Sequence, residues 1–305
     1  MARELRGGVQ PSYDINNIPN SKTLPDTLIE SMGLYIVRKD TALKLRRRYG
    51  DKPLFIYGSL EETIDVNNPE DLEYANTFAK GLKAQENNKF RLLKHFVTSP
   101  VLSDIIDDLN FEMKAKTGAV INNFICNMPQ AKILGRANTI KLRKLYDGED
   151  FKGIYNALAQ YESITDNDVI VVENEIKDYA YFGDLNGRLA IRSGACATII
   201  DGATRDINAL TNLNYPVFSN NYNAADVRRR ATLDYINKPI TIKGQTVNPG
   251  DLIFADGCSV VVIYKQYEDE ILKRALQSVN TEKNIISDIF GNKNVEKIVD
   301  DNGAF

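Results

Sequence analysis

An α/β fold with a layered sheet core is predicted for this chain, on three observations. From about residue 93 onward, short β-branched runs alternate with segments of helical periodicity, the order that builds sheets covered by helices. Most of those runs end in Gly, Asp or Asn, the residues that close turns. The composition, 43% apolar and 26% charged over 305 residues, is a globular mixture long enough for two units.

The elements follow in order. Residues 1–27 hold three prolines, several asparagines and few apolar side chains, and are expected to form an extended N-terminal segment. Residues 28–92 read as a small α+β lobe. In it, MGLYIVRK (32–39) and PLFIYG (53–58) are strand-like and flank the basic, amphipathic TALKLRRRYG (41–50). A helix opens at NNPEDLEYANTFAKGL (67–82), with Asn68 as its cap and Pro69 in its first turn. The polar QENNK at 85–89 reads as a linker to the main domain, residues 93–305.

That domain begins with a helix over VTSPVLSDIIDDL (97–109), Ser99 serving as cap and Pro100 at the first position. Strands are expected at DVIVVEN (168–174), ACATIIDG (195–202), PVFSNN (216–221), PITIKG (239–244) and LIFADGCSVVVIYK (252–265). Helical patterns occupy 184–194 and 267–290.

Charge and composition narrow the function. A net charge of −3 and a pI near 5.5 speak against nucleic acid or a membrane surface as partner. Cys126, Cys196 and Cys258 form no CxxC pair and read as reduced, buried thiols. The N-terminus lacks the apolar stretch of a signal peptide, and no run approaches the roughly 18 residues of a membrane helix, so a cytoplasmic protein is expected. The single histidine, His95, excludes a histidine metal cage and argues against a Ser-His-Asp triad. A metal here would be held by oxygen.

Chemically loaded residues are densest in FGDLNGRLAIRSGACATIIDGATRDINAL (182–210). Gly183 and Asp184 end a strand and enter a helix, so the N–H groups of Leu185 and Asn186 are free to meet a carboxylate or phosphate. After that helix and a buried strand, the turn GATRD brings Arg205 and Asp206 to a strand end, where open α/β sheets place ligands. Arginine suits a carboxylate or keto oxygen, and aspartate a hard cation such as Mg2+. Taken singly, Asp184 could be a helix cap and Arg205 with Asp206 a surface ion pair; their joint spacing favours a site.

Asp184, twenty intervening residues and then Arg205-Asp206 resemble the signature of the RraA-like proteins. That family includes the 4-hydroxy-4-methyl-2-oxoglutarate (HMG) and 4-carboxy-4-hydroxy-2-oxoadipate (CHA) aldolases. VLSDIIDDL, AKILGRANTI, GDLNGRLA, IIDGATRD, YPVFSNN and VNPGDLIFADGCSVVVI follow the family's order of landmarks over residues 97–263. The resemblance implies an RraA-like layered α-β-β-α core of the swivelling-domain type. It also implies a metal-dependent lyase, using Mg2+ or Mn2+, that cleaves or decarboxylates a small 2-oxo acid through a pyruvate enolate.

By the same resemblance, Asp206 ligates the metal and Asp184 holds a water on it that serves as acid or base. Arg205 binds the 2-keto oxygen, and the amides of Leu185 and Asn186 receive the substrate carboxylate. Glu282 from a neighbouring subunit assists the metal, with Glu268 and Glu270 as competitors for that role. A homo-oligomer, a trimer or a pair of trimers, is implied. The alternative is a catalytically silent RraA-like regulatory or binding protein. A menaquinone-precursor methyltransferase ranks last, for want of a glycine-rich adenosylmethionine loop after a first strand. The run Arg228-Arg229-Arg230 reads either as an anion grip or as solvated surface.

Residues 28–82 lie outside that pattern. They are similar to the C-terminal part of an acylneuraminate-type cytidylyltransferase, through Asp65-Val66-Asn67-Asn68-Pro69-Glu70-Asp71-Leu72. The nucleotide-binding half is missing and Asn67 stands where the second metal-binding aspartate belongs. No cytidylyl transfer is therefore expected, and residues 28–92 read as a truncated cytidylyltransferase-like lobe retained for oligomerisation.

Overall fold

The structure, a computed structural model, describes residues 2–5, 8–11, 16, 17, 20, 31, 33–59 and 61–303. The chain divides into two compact units, Met1–Lys80 and Gly81–Phe305.

In the first unit, β1 (Ala2–Leu5) and β2 (Gly8–Pro11) pair antiparallel, a hairpin the sequence reading did not assign. The rest of the extended segment expected over 1–27 lies largely outside the described residues. The basic amphipathic stretch supplies α1 (Lys39–Leu45), which buries none of its residues. The two strand-like runs beside it are not strands: among the described residues neither 34–38 nor 53–59 joins a ladder. Ile36 is 87% and Leu54 91% exposed. A strand is stabilised by hydrogen-bonded neighbours more than by its own propensity, and none of the described residues supplies one.

The helix α2 (Pro69–Leu93) starts as the sequence indicates, with the Asp71 N–H donating to Asn68 Oδ1 at 2.8 Å. The cytidylyltransferase-like stretch is committed to this helix start, since Asn67 donates to Asp71 at 3.0 Å and to Asp65 at 2.9 Å. Residues 85–89, expected as a linker, are helical. Within the second unit Asn87 and Phe90 are buried, and Glu86 accepts from Arg136 Nε at 3.0 Å. Polar residues mark a linker only when they face water; Glu86 and Asn87 instead find partners far along the chain.

The remainder of the second unit runs α3 (Ser99–Met113), β3 (Gly118–Ile121), β4 (Ile125–Cys126), β5 (Ile133–Lys144), a 3-10 helix (Phe151–Ala159), α4 (Gln160–Ser163), β6 (Val169–Asn174), β7 (Ala180–Phe182) and α5 (Asp184–Ser193). There follow β8 (Ala197–Thr204), α6 (Ile207–Asn212), β9 (Val217–Tyr222), β10 (Ala231–Ile236), β11 (Ile240–Ile242), β12 (Gln245–Val247), β13 (Leu252–Ala255), β14 (Val260–Ile263), α7 (Glu268–Phe290) and α8 (Val295–Asn302). The sheet order is β3-β14-β13-β5-β6-β8-β9-β4, with β10 added on β5 and β7 on β8. Strands β5, β6, β8 and β9 are parallel; the β3-β14-β13-β5 half is antiparallel.

Alternation along the strands makes the layers. Leu252, Phe254, Val261 and Ile263 face a cluster with α3 and α7, while Ile253, Val260 and Val262 face a middle cluster. On the parallel half, Val169, Val171 and Ile199 share that middle cluster. Ile170, Val172 and Ile200 face the opposite way, toward α5 and the 3-10 helix. The order helix, sheet, sheet, helix is the α-β-β-α arrangement expected.

Three local readings shift. LIFADGCSVVVIYK is a hairpin, β13 and β14, turning at Asp256. Ser99 is the first helical residue of α3, not its cap, and its N–H and hydroxyl both donate to Asp256, at 3.0 and 2.7 Å. Burial raises the Asp256 carboxyl, but these bonds and the N–H groups of Cys258 and Ser259 outweigh it and hold it below its ordinary range. The central strand β5 was not expected, because Arg136, Lys141 and Arg143 interrupt its apolar pattern. Arg136 pairs with Glu86 and Glu268, and Lys141 with Glu173 at 2.9 Å, which makes these charges tolerable in a sheet.

Two measurements check this architecture. A Cβ on Gly135 would lie 2.1 Å from the Asn167 carbonyl oxygen, so Gly135→Ala is expected to cost about 2–3 kcal/mol in urea unfolding. An unchanged midpoint would show that β5 is misplaced. None of the three thiols expected to be buried is fully so: Cys258 is exposed and Cys126 and Cys196 are half-buried, burial raising Cys126 and pushing Cys196 up to about 12. A thiol reagent should modify Cys258 rapidly in the native protein, and Cys126 and Cys196 more slowly.

Candidate active site

Two turns meet at the C-terminal ends of parallel strands. β7 leaves through Gly183 into α5, and β8, buried along its whole length, leaves through Arg205 and Asp206 into α6. The Arg205 N–H donates to the Phe182 carbonyl at 3.0 Å, as does the Thr204 hydroxyl at 2.9 Å. The Asp184 N–H donates to Asp206 Oδ2 at 3.1 Å. These bonds stitch the first turn of α5 to the end of β8.

Gly183 is required by proximity. A Cβ there would lie 2.5 Å from Asp206 Oδ2 and 3.0 Å from Arg205 Cγ. Asp206 has φ +57°, the left-handed region, which aspartate tolerates better than most residues. Backbone strain at a non-glycine residue concentrates at functional sites.

The sequence-predicted residues come together. Asp184, Leu185, Asn186, Arg205 and Asp206 all line one cleft of about 910 Å3. The first helix-internal bond of α5 is Gly187 N–H to Gly183 O at 2.9 Å, and among the described residues no partner takes the N–H of Leu185 or Asn186. Asn186 is fastened by its own amide, which donates to the Tyr181 carbonyl at 2.8 Å. Arg188 Nε pairs with the Asp184 carboxylate at 3.0 Å, and Arg205 Nε lies 3.7 Å from Asp206. On the other side of the Arg205-Asp206 turn is a smaller recess of about 390 Å3, bounded by Tyr222 and Asn223.

Glu282 is not brought to this cleft within one chain; it lies on the exposed part of α7 and its side chain makes no ion pair or hydrogen bond among the described residues. Its competitors are engaged elsewhere: Glu268 is buried against Arg136, and Glu270 pairs with Arg274 at 2.8 Å. Of the arginine run, only Arg228 borders the cleft. Arg229 lies over the Phe151 ring and Arg230 over Tyr179.

The sequence reading missed three features. Tyr155 and Leu158, from the 3-10 helix, wall the cleft with Leu189. Tyr181 lines it too, and its buried hydroxyl has no partner among the described residues. Asp226 lines it and pairs with Arg205 Nη2 at 2.9 Å. Only Asp226 had a signal, an acid directly ahead of an arginine run.

Among the described residues no group of three or more His, Cys, Asp and Glu side chains is arranged to hold a metal ion. Of the three carboxylates lining the cleft, Asp226 pairs with Arg205; Asp206, with Asp184, would offer oxygen donors to a hard cation that keeps several of its waters, as Mg2+ does.

Comparison with known proteins identifies the family. The family model described as RraA-like, Aldolase/RraA, matches residues 102–262, more than half of the chain. Protein DlpA of Legionella pneumophila is 31% identical over 173 residues, 56% of this chain but only 28% of that protein. A Halalkalibacterium halodurans protein named "Putative 4-hydroxy-4-methyl-2-oxoglutarate aldolase" is 31% identical over 145 residues, 47% of this chain and 65% of its own. The chain thus spans less than two thirds of either relative. A solved structure of an uncharacterized Pseudomonas syringae pv. tomato protein superposes with a TM-score of 0.57 at 26% identity, covering 68% of this chain and 96% of that one. Streptomyces coelicolor RraAS2, described as an unusual member of an RNase ES inhibitor family, shares the fold at a TM-score of 0.54 and 20% identity over 63% of this chain and 93% of its own. The chain belongs to the RraA-like family.

Proposed function

We propose that this protein is a divalent-metal-dependent lyase of 2-oxo acids, releasing pyruvate from a hydroxy-oxo-dicarboxylate of the HMG or CHA type or decarboxylating oxaloacetate. The observation that carries the reading is the stitched pair of turns, which sets Arg205, Asp206, Asp184 and two unpartnered amides around one cleft.

Both reactions break a carbon–carbon bond and leave its electron pair on C3 of pyruvate as an enolate, which then takes a proton. Charge grows on the 2-keto oxygen, and fixed donors aimed there lower the barrier. Arg205 is that donor; Asp226 takes one Nη, and the planar fork has further N–H groups for a substrate oxygen. The N–H groups of Leu185 and Asn186 at the positive end of α5 receive the carboxylate. Asp206, with Asp184 acting through water, would hold Mg2+ or Mn2+, which supplies Lewis-acid stabilisation of the enolate when bound. Asp184, kept in place by Arg188, orients the water that gives or takes the proton.

The reading extends to assembly. Glu282 of a neighbouring copy completes the metal surroundings in a trimer or a pair of trimers, a role its competitors are not free to take. Residues 28–92 serve oligomerisation, in a cytoplasmic protein. Among the described residues no helix is long and apolar enough to cross a membrane.

The metal-loaded protein should release pyruvate from oxaloacetate or HMG, chelator should abolish this, and Arg205→Ala should lower kcat by about 100- to 1,000-fold. Release that survives both chelator and the substitution would sink the reading; no release at all would favour the catalytically silent regulator. Gly183→Ala, which pushes the Asp206 carboxylate aside, should cost about 100-fold in kcat with the fold intact by circular dichroism. Full activity in that variant would mean that the Asp184–Asp206 contact is not used.

A further inference from the structure

Arg205 is held by a residue from a third segment. The backbone of 225–227 is fixed to the start of β7: the Ala180 N–H donates to the Ala225 carbonyl at 2.8 Å, and the Val227 N–H to the Ala180 carbonyl at 3.0 Å. Asp226 thereby bridges Ala180 in parallel register, on the strand whose other neighbour is β8. The segment leading into it is tied down as well, by the Asn223 side chain donating to the Asp178 carbonyl at 2.7 Å and the Asn223 N–H to the Thr204 carbonyl at 3.0 Å.

From this fixed backbone the two oxygens of Asp226 make different bonds. Oδ2 lies 2.9 Å from Arg205 Nη2 as an ion pair, and Oδ1 accepts from the Arg228 N–H at 2.6 Å. The second bond closes the turn that brings Arg228 to the cleft, where its guanidinium lies 5.3 Å from the Phe151 ring centre. An arginine left to itself samples many rotamers, whereas a fixed carboxylate beside one Nη restricts where the guanidinium rests.

We propose that Asp226 is the positioning residue for Arg205: its carboxylate holds the guanidinium in its working orientation and, through the same group, sets the place of Arg228 in the cleft. The proposal rests on the reading of Arg205 as the enolate-stabilising donor. Asp226 acts through Arg205 and touches no reacting atom. About a third of each side chain is exposed, so the pair contributes little to folding and its loss should leave the protein intact.

The test is Asp226→Asn, which keeps the size and an oxygen for the Arg228 N–H but removes the charge that pairs with Arg205. With oxaloacetate, kcat should fall by about 10- to 100-fold with KM within about threefold, and Tm should stay within about 3 °C of wild type. Because Asp226 acts through Arg205, the double variant Arg205→Ala/Asp226→Asn should be no slower than Arg205→Ala alone. An unchanged or raised kcat in Asp226→Asn, or losses that multiply in the double variant, would overturn the proposal.

A readout that needs no turnover separates this from the functional reading. With 15N-labelled arginine, the Arg205 Nη–H signals should show slow rotation in wild type and lose it in Asp226→Asn. Identical signals in both overturn the positioning role even if pyruvate is released. A difference in signal, in a protein that releases no pyruvate, leaves Arg205 positioned by Asp226 and overturns the lyase reading together with any catalytic meaning of that positioning.

Discussion

The close approach of the Asp184 N–H to the Asp206 carboxylate, 3.1 Å across two strand ends, is the constraint on which the rest of the site depends. It exists because β7 and β8 run parallel to their last residues, a register shift after Ala180 setting Phe182 beside Thr204, with the Thr204 hydroxyl and the Arg205 N–H both on the Phe182 carbonyl. It also requires that residue 183 have no side chain. The helical amides, the guanidinium and the carboxylates inherit their mutual geometry from that junction. β8 cannot shift to relieve it, because every one of its residues is buried between two layers.

Charges in this protein divide into two kinds. Arg136 on β5 is flanked by Glu86 from α2 and Glu268 from α7 and stacks on Phe90, so one partly buried cation joins three elements of the second unit. Removing one partner of such a group strands the others, at a cost of about 3–5 kcal/mol for a fully buried pair and less here. Asp201 is treated alike: burial raises its carboxyl, but Lys177, Asn220 and the Lys243 N–H together hold it below the ordinary range. A depressed carboxylate stabilises the fold above its unfolded pKa and loses that contribution as pH falls through the folded value.

The acids and bases of the cleft are of the other kind. The side chains of Asp184 and Asp206 are 28% and 46% exposed. Their ion pairs are worth about 0–1 kcal/mol, little enough to be exchanged for contacts with a ligand. Rigidity in the layers and exchangeable pairs at the strand ends are the division of labour that an α/β scaffold permits.

The sequence by itself determined the features written in short-range pattern. Near-continuous apolar, β-branched runs over Val169–Asn174 and Ala197–Thr204 specify strands buried on both faces, which implies layers on either side. Asn68 and Pro69 open α2, Gly194 closes α5 in the left-handed conformation, and Asp184, Arg205 and Asp206 stand at strand ends because turns follow runs of fixed length. Only the tertiary structure decided the rest. β5 holds three other strands while carrying charges that its own pattern cannot explain. Within the helical stretch 85–89, Glu86 accepts from Arg136 and Asn87 donates to Asp166. The runs at 34–38 and 53–59 have strand propensity and no ladder, and Asp226 reaches Arg205 from twenty-one residues away. In each case the deciding partner is remote in the chain. Local periodicity reports which side of an element is buried; it carries no information about which distant group will satisfy a charge or an unpaired backbone bond.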